Sequence, residues 1–464
     1  MISALDSKIL DMNCEALGIS VDTLMGNAGA ALYNVLIKEF EKKKILIVCG
    51  IGNNGGDGFA CAKLFGKKAT VALLLPPDRI KKEPARRMFE ALDKKPVMFS
   101  DIYLDQYEVV VDCVLGVGAR GPLDGAHKEY VKQLKSFKGR IVSADVPTGM
   151  GTKSAVVPDI TVTFHDVKDG MTKENCGRII VADIGIPEEA THVVGPGNML
   201  IYPLPKIDSH KGENGRLLVI GGGPYIGAPA MSAMAALRAG IDIVRIATPK
   251  HSFIPIASMT PMFIMHELSD EILCENDVKG LLELSRNVDA VLIGPGLGTA
   301  EATMKAVREF VLRCNKPTVV DADGIAAISM MSVIPGNVII TPHKREFEDF
   351  FGFPANSCDL IEMCRKRNVT VLLKGVSDVI VNSEMKRTNR TGCTAMTVGG
   401  TGDVLSGIVA GLFSKGMSAF DSACLGAYMC GRAGEKAYDE LSYGMTAPDV
   451  INMIPKVLKD HLKG

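Results

Sequence analysis

Between residues 44 and 200, hydrophobic residues cluster in short runs separated by stretches of mixed polar and apolar residues. Runs of Val, Ile and Leu without polar alternation are typical of parallel strands covered on both faces. The pattern predicts strands at KILIVCG, TVALLLP, EVVVDCVLG, RIVSADVP, ITVTF and RIIVADIG. Helical stretches lie between these runs, so we predict an α/β unit built on a parallel sheet.

A second series of the same kind follows a break in the pattern near residue 203. YPLP at Tyr202–Pro205 and the following KIDSHKGENG concentrate proline, glycine and charge, which indicates a linker. Apolar runs then resume as RLLVIGGG, IDIVRIATP, DAVLIGPG, PTVVDADG, NVIITPH, VTVLLKG and DVIVNS, and a helix-rich end follows. We therefore predict two α/β domains, residues 1–203 and residues 204–464.

Charge and composition argue against several classes of partner. The 464 residues carry a formal net charge of −1, so no global basic field attracts nucleic acid or membranes. No apolar run approaches the roughly 20 residues of a membrane span. MISALDSKILDMN has the polar spacing of an amphipathic helix rather than of a secretory signal. The 12 cysteines include no C-x-x-C pair, so we expect reduced core cysteines in a cytoplasmic protein.

A glycine-rich segment, GIGNNGGDGF from Gly50, follows the first predicted strand and opens a helix. Glycines allow a tight turn and a close ligand approach, and a helix amino terminus favours phosphate. Asn53, Asn54 and Asp57 add amide and carboxylate oxygens, which suit a hard cation. The alternative is an ordinary strand-to-helix turn capped by Asn or Asp, but such a turn needs only one capping residue.

Two further strand ends carry matching chemistry. Asp112 lies on the strand of VVVDCVLGVGARGPL, which continues into a glycine loop with Arg120 as a candidate phosphate ligand. Asp145 and Thr148 follow the strand of IVSADVPTG. A single Asp at a strand end is often only a cap, but three acidic strand ends around one glycine loop predict a ligand site.

In this order, NNGGDG, D-x-x-x-G-x-G-x-R-G and D-V-P-T-G resemble the NAD(P)H-hydrate epimerase domain. LMGNAG at Leu24–Gly29 is similar to the family's amino-terminal motif, with Gly26 where the family usually has Glu. The resemblance implies a Rossmann-like three-layer fold and a potassium ion held by Asn54, Asp112 and Thr148. The substrate-binding residues that it implies are Asn53, Asn54, Gly55, Gly56, Asp57, Gly116, Val117, Gly118, Ala119, Arg120, Gly121, Pro122 and Asp145.

The reaction implied by the resemblance interconverts the two epimers of NADH hydrate and NADPH hydrate at their hydroxyl-bearing carbon. A positioned carboxylate can carry a proton in such a step. We therefore hypothesise that Asp145 is the acid/base residue of this domain.

The segment GGTGDVLSGIVAGLF, from Gly399, predicts a second site. Its apolar residues have helical spacing, so a helix is expected to begin near Asp403. The glycine turn before that helix would point backbone amides at a transferring phosphoryl group. Asp403 is then a candidate general base for a hydroxyl, although a glycine turn with a capping Asp would give the same local pattern.

In order, HKG-x-x-G, GPGLG, TPH-x-x-E, LLKG and GTGD resemble the ribokinase-like superfamily and, within it, NAD(P)H-hydrate dehydratase over residues 205–460. DADG at Asp321–Gly324 departs from the family's usual DADAL. The resemblance implies a ribokinase-like α/β fold. It implies hydrate-binding residues Ala228, Gly296, His343 and Asp403, and nucleotide-binding residues Lys374, Gly375, Val376, Ser377, Asp378 and Gly402.

The mechanism implied for this domain is phosphorylation of the hydrate's hydroxyl followed by loss of phosphate, with magnesium bridging the nucleotide phosphates. Bacterial and archaeal members of the family usually use ADP, and the fused arrangement favours ADP here. The resemblance also leads us to expect a homo-oligomer. Two alternatives stay open: a small-molecule kinase, since fold does not fix function, and a non-catalytic scaffold, since the epimerase fold also serves as a dimerising module in an RNA-decapping protein.

Overall fold

The computed structural model describes residues 1–119 and 121–462, which fold as two compact units, 1–190 and 191–464. The predicted boundary near residue 203 is therefore too late. Residues 193–194 form a strand that pairs with Thr388 and Asn389, so the segment before residue 203 belongs to the second unit. The predicted phosphate ligand Arg120 lies outside the described residues.

The first unit is built on a seven-stranded sheet in the order β3-β2-β1-β4-β5-β6-β7, with every neighbouring pair parallel. Its strands are β1 Ile45–Cys49, β2 Ala69–Leu73, β3 Val97–Met98, β4 Val109–Cys113, β5 Arg140–Ala144, β6 Ile160–Phe164 and β7 Arg178–Ala182. Its helices are α1 Ala4–Ala16, α2 Val21–Phe40, α3 Asn53–Phe65, α4 Glu83–Glu90, α5 Gly125–Ser136, α6 Lys173–Cys176 and α7 Glu188–His192. The division between the two units falls within α7.

Helices cover both faces of this sheet, as the apolar runs predict. Ile45, Ile47 and Cys49 of β1 pack into one core cluster, whereas Leu46 and Val48 pack into the other. Successive residues of a strand point to opposite faces, so a strand buried on both faces must be apolar throughout. The strand order confirms the Rossmann-like three-layer fold and places its switch point between β1 and β4.

The second unit contains a ten-stranded sheet in the order β11-β10-β9-β12-β13-β14-β15-β16-β17-β8. Its strands are β8 Val193–Val194, β9 Arg216–Ile220, β10 Ile243–Thr248, β11 Phe263–Glu267, β12 Ala290–Ile293, β13 Thr318–Val320, β14 Val338–Ile340, β15 Thr370–Leu373, β16 Asp378–Val381 and β17 Lys386–Asn389. The strands from β11 to β15 are parallel, and β16 is antiparallel to both of its neighbours.

Helices again lie on both faces of this sheet. One core cluster joins Leu217 and Val219 to the helix-rich end of the chain, and the other joins Leu218 and Ile220 to the helices of the middle segment. The helices are α8 Gly227–Arg238, α9 Lys250–Ala257, α10 Glu275–Ser285, α11 Glu301–Arg313, α12 Asp323–Ile328, α13 Lys344–Phe351, α14 Leu360–Arg367, α15 Thr401–Ser414, α16 Ala419–Leu441 and α17 Ala447–His461.

Candidate active sites

The switch point of the first sheet opens into a cavity of about 420 Å³. Ligands of open α/β sheets bind where the strand order reverses, outside the carboxyl ends of the strands. Residues predicted from the three motifs line this cavity together: Asn53, Asn54, Asp57, the loop 116–119 and Asp145. The structure thus brings the end of β1, the end of β4 and the end of β5 to one place.

Glycines allow the first motif to pack against the end of β4. A Cβ atom on Gly50 would lie 2.0 Å from the Val114 carbonyl oxygen, and one on Gly55 would lie 2.0 Å from the Gly50 carbonyl oxygen. A side chain at either position would therefore displace the backbone. The predicted residues Gly55 and Gly56 are buried inside α3 and are not among the residues lining the cavity, so they allow the start of α3 to pack closely on its neighbours.

Two asparagines at the start of α3 have polar atoms without partners. The Oδ1 atom of Asn53 and both polar atoms of Asn54 are buried and form no hydrogen bond within the described chain. Buried amides are normally paired, and an unpaired one costs on the order of 1–3 kcal/mol. These atoms are therefore candidates for contacts with a bound ion or ligand.

Asp112 lies beneath the cavity in a saturated network. Its Oδ1 accepts from the Thr148 hydroxyl at 2.7 Å and the Tyr130 hydroxyl at 3.2 Å, and its Oδ2 accepts from the Thr148 amide at 2.9 Å and the Ser143 hydroxyl at 3.0 Å. Burial raises the pKa of Asp112, although these bonds act to lower it. The Thr148 hydroxyl also accepts from the Leu115 amide, which ties this network to the loop beside Asn54.

Asp145 is held by a buried ion pair. Its Oδ1 lies 2.6 Å from Nζ of Lys168, and the Asp145 backbone has a φ of 61°, which turns the chain sharply after β5. Nζ of Lys168 also donates to the Phe164 carbonyl oxygen at 2.6 Å and to the Thr163 hydroxyl at 3.1 Å. An ammonium has three donors, so these contacts occupy all of them and leave Lys168 to position Asp145.

Other predicted residues of this unit lie away from the main cavity. Gly121 lines a smaller neighbouring cavity, and Pro122 lies on an exposed part of the same loop.

The cavity also contains ionisable residues that the motifs did not predict as site residues, among them Asp11 of α1, Lys168, His127 and His165. Burial, followed by the nearby Asp145 carboxylate, raises the pKa of Asp11 to about 6. The same two causes raise the pKa of Asp57 well above its usual range. Lys168 lies four residues after β6, in FHDVK, and its burial, which marks it as unusual, is visible only in the structure.

In the second unit, the glycine loop after β12 lies against the loop that precedes α8. A Cβ atom on Gly296, whose φ is 70°, would lie 2.2 Å from the Tyr225 carbonyl oxygen. Ala228, at the first turn of α8, is buried close behind Tyr225 in the chain. Two of the predicted hydrate-binding residues thus belong to adjoining segments that follow β9 and β12, Ala228 in the first turn of α8 and Gly296 in the glycine loop.

The amino terminus of α15 lies beside a lysine–carboxylate cluster. Nζ of Lys374, at the end of β15, is 3.2 Å from Oδ1 of the buried Asp321, which also accepts from the Thr341 hydroxyl at 2.7 Å. A Cβ atom on Gly402 would lie 3.6 Å from the same Nζ. Burial, followed by the nearby Asp321 carboxylate, raises the pKa of Asp403 to about 7.

His343 occupies the N-cap of α13. Its Nδ1 accepts from the amides of Arg345 and Glu346, at 3.1 and 3.2 Å, and its Nε2 lies 3.4 Å from the Glu346 carboxylate. The residue before it, Pro342, accepts from the Lys374 amide at 2.8 Å. His343 is thus fixed next to Lys374 in the sheet, with more than half of its side chain exposed.

The predicted nucleotide segment forms the turn between β15 and β16. Oδ1 of Asp378 accepts from the Gly375 amide at 3.1 Å and its Oδ2 accepts from the Asn389 side chain at 3.0 Å, so Asp378 fixes the turn. Val376 and Ser377 are exposed at its tip. The HKGENG motif instead lies at the amino ends of the strands: the Gly212 amide donates to Asp242, which directly precedes β10.

The described part of the chain contains no helix with both the length and the apolar character needed to cross a membrane. Within the same residues, no group of three or more His, Cys, Asp and Glu side chains is arranged to hold a metal ion.

Two α/β units, each with acidic residues at the carboxyl ends of its strands, define an enzyme with two candidate active sites. The NAD(P)H-hydrate dehydratase family matches residues 217–456, and the family described as YjeF-related protein N-terminus matches residues 21–170. A bifunctional NAD(P)H-hydrate repair enzyme of Methanothermobacter thermautotrophicus is 38% identical, and the match covers 99% of this chain and 95% of that protein. The chain belongs to the family of bifunctional NAD(P)H-hydrate repair enzymes, with an epimerase and a dehydratase domain.

Solved structures of other proteins resemble the second unit. A ribokinase-like superfamily protein from Enterococcus faecalis covers 58% of this chain and 96% of its own, with a TM-score of 0.53 at 22% identity, which supports the predicted fold. An ADP/ATP-dependent NAD(P)H-hydrate dehydratase from Bacillus subtilis, co-crystallised with ATP/Mg²⁺, is 26% identical with a TM-score of 0.51. The match covers 58% of this chain and 98% of that one.

Proposed function

We propose that the first unit interconverts the two epimers of NADH hydrate and NADPH hydrate at the cavity beside Asp145. The observation that carries this proposal is the geometry of that residue. Lys168 pairs with Oδ1 of Asp145, whereas Oδ2 accepts no hydrogen bond from residues 1–119 and 121–462. The Asp145 side chain lines the cavity. A fixed carboxylate with one open oxygen is suited to exchange protons with a bound substrate.

Asn54, Asp112 and Thr148 are proposed as the residues that hold a potassium ion in this unit. The unpartnered buried amide oxygen of Asn54 supports this assignment, because neutral and anionic oxygens are the ligands of hard cations. The oxygens of Asp112 already accept four hydrogen bonds, so the ion would share that carboxylate with its protein donors. When bound, the ion would supply fixed positive charge near the substrate.

Potassium binding has a readout that is independent of activity. A ligand that binds only the folded state raises the unfolding temperature with its concentration. Potassium chloride should therefore stabilise the first unit more than choline chloride at equal ionic strength, and Asn54→Ala should remove the difference. Equal stabilisation by both salts would remove the assignment of this ion.

For the second unit, we propose that Asp403 accepts the proton of the hydrate's hydroxyl as that oxygen attacks the terminal phosphate of ADP. The bond to the departing AMP breaks, and the phosphate then leaves the carbon while the neighbouring ring carbon loses a proton to solvent, which restores the ring double bond. The amides at the start of α15 and the ammonium of Lys374 would stabilise the phosphoryl group. Raised by burial, the pKa of Asp403 suits a general base that works near neutral pH.

The nucleotide-binding residues would be Gly402, Lys374 and the turn from Gly375 to Asp378, and the hydrate would contact Ala228, Gly296 and His343. Magnesium would neutralise charge on the nucleotide phosphates. It would be held mainly by those phosphates and by water, since the described residues offer no ready cluster of metal ligands.

The nucleotide assignment is tested with the pure S epimer of the hydrate, magnesium and either ADP or ATP. We expect ADP to give AMP, inorganic phosphate and reduced nicotinamide in equal amounts. A phosphorylated hydrate that accumulates without release of phosphate would instead identify a kinase. Asp403→Asn should abolish the reaction while leaving epimerisation unchanged.

We also propose a cytoplasmic location and a homo-oligomeric assembly. All 12 cysteines are free thiols in the described chain, which suits a reducing cytoplasm. A homo-oligomer is proposed from family resemblance, and measuring the mass in solution tests it.

A further inference from the structure

Asp11 is an unpartnered carboxyl group in the cavity of the first unit. It lies on α1 and is half-buried, and it lines the cavity together with Asp57 and Asp145. No hydrogen bond or ion pair joins its side chain to any residue of the described chain. The matched epimerase family begins at residue 21, so this carboxyl group comes from an element outside the matched segment.

Asp11 and Asp145 differ in their surroundings although they share one cavity. Asp145 is tied to Lys168, whose three donors are all occupied. Asp11 has no such partner, and burial together with the Asp145 carboxylate raises its pKa to about 6. One group is therefore paired with a fixed cation, and the other readily carries a proton.

Epimerisation of a hydrated nicotinamide requires two proton transfers. The hydroxyl-bearing carbon is bonded to the ring nitrogen, so the carbon–oxygen bond can break as the nitrogen lone pair forms a carbon–nitrogen double bond. The leaving oxygen needs a proton, and the water that adds to the other face must lose one. A single carboxylate on one side of the ring cannot readily serve both faces, whereas two carboxyl groups on different elements can.

We propose that Asp11 and Asp145 act as a pair of acid/base catalytic residues in the first unit, with Lys168 as the positioning residue of Asp145. Asp11 gives a proton to the hydroxyl oxygen, and water leaves. A second water adds to the opposite face and gives its proton to Asp145, so that one water is lost and one is gained. The reverse reaction exchanges the two roles, and proton exchange with solvent returns Asp11 to its acid form and Asp145 to its carboxylate before the next turnover from the same epimer. This inference rests on the proposed epimerase function.

The charged and titratable groups near Asp11 come from several elements. The Asp145 carboxylate raises the pKa of Asp11, whereas Lys168 and Lys82 act to lower it. Asp11 in turn acts to raise the pKa of Asp57 and of Cys14. Lys8, His127 and His165 also line the cavity.

Because Asp11 must be protonated to act as an acid, the rate from the epimer that it serves should fall as pH rises above about 6.

The test compares Asp11→Asn with the natural chain in the absence of nucleotide, starting from each pure epimer in turn and correcting for the uncatalysed rate. We expect kcat to fall about 100-fold, KM to change little, and the alkaline limb of the pH profile to disappear. Dehydration of the S epimer by the same chain should be unchanged, which controls for the amount of enzyme, and an unchanged unfolding temperature of the first unit shows that the variant is folded. Asp11→Glu should recover part of the rate, and Glu15→Gln, an exposed change on the same helix, should have no effect.

Two outcomes separate this inference from the proposed function. If Asp145→Asn stops epimerisation while Asp11→Asn has a normal rate and pH profile, the role of Asp11 is wrong and the site assignment stands. If both variants epimerise normally, the site itself is wrong. Epimerisation in ¹⁸O-water should introduce one labelled oxygen per inversion, and inversion without label would contradict the exchange of water.

Discussion

The acidic residues of the two sites differ mainly in what surrounds their carboxyl groups. Asp112 accepts four hydrogen bonds and is buried, Asp145 is paired with Lys168, and Asp403 is desolvated near a second carboxylate. Such differences separate structural carboxylates from those that can exchange protons. They arise from contacts that are distant in sequence.

The pH dependence of the dehydratase tests the environment of Asp403. A general base works only when ionised, and burial followed by the Asp321 carboxylate moves the pKa of Asp403 from 3.8 to about 7. With S epimer and saturating nucleotide, activity should therefore fall about tenfold per pH unit below 7. Asp321→Asn removes a negative neighbour and should move this acidic limb of the pH–activity profile to lower pH. A limb that starts near pH 4 in the natural chain would contradict the account.

The ion pair of Lys168 and Asp145 should contribute to the stability of the first unit. Lys168→Met leaves a nearly buried carboxylate unpaired, which typically costs about 3–5 kcal/mol. Combining it with Asp145→Leu should restore much of the free energy of unfolding, though not the activity. Hydrogen exchange of β5 and β6 measures the effect. Lys43→Met, which breaks an exposed pair with Glu108, serves as the control, and an equal loss there would contradict the assignment.

At the scale of elements, α15 owes its position to close packing on α8. A Cβ atom on Gly407 would lie 2.2 Å from the Ser232 carbonyl oxygen, and one on Gly411 would lie 3.2 Å from the Cα atom of Ala236. The two helices therefore approach closely enough to hold the amino terminus of α15, with Gly402 and Asp403, at the end of the sheet.

Two glycine-to-alanine changes in helices test this packing. Gly407→Ala should lower the free energy of unfolding of the second unit by about 1–3 kcal/mol through overpacking. Gly280→Ala, on the exposed face of α10 and with no neighbouring atom within 4 Å of the added methyl, should raise it by about 0.5–1 kcal/mol. Thermal unfolding measures both, and stabilisation by both changes would show that the contact of α15 with α8 is loose.

The sequence predicts the buried apolar strands well and the short or half-exposed strands poorly. Buried parallel strands such as β1 and β9 must be apolar on both faces, so they appear as continuous apolar runs. The missed strands are short or half-exposed: β3 and β8 have two residues each, β11 reads FIMHE, and β17 reads KRTN. Their pairing depends on neighbours in space, which a local pattern does not record.

The site residues also divide into those that the sequence predicts and those that it does not. Motif glycines, Asp145 at the end of β5 and Asp403 in the first turn of α15 carry their own local signal. Asp11 and Lys168 do not, because their importance comes from the cavity that α1 and β6 complete. The HKGENG motif shows the converse, since its order in the chain suggests a place at the site while the fold puts it at the opposite ends of the strands.

At the scale of the whole molecule, two chemistries are carried by two separately folded units. Hydration gives two epimers, and a dehydratase site of fixed handedness accepts only one of them. Each unit has its own sheet, its own core clusters and its own proposed catalytic residues. The activities should therefore be separable by single substitutions.

The most direct test follows recovery of reduced-nicotinamide absorbance from mixed NADH hydrate epimers with magnesium and ADP. The account predicts full recovery by the natural chain, with AMP and phosphate as products. With Asp145→Asn, enzymatic recovery should stall once the S epimer is consumed, leaving only the slow uncatalysed conversion. Asp403→Asn should give no recovery. Absence of recovery by the natural chain with either ADP or ATP would contradict the assignment of NAD(P)H-hydrate repair to these two sites.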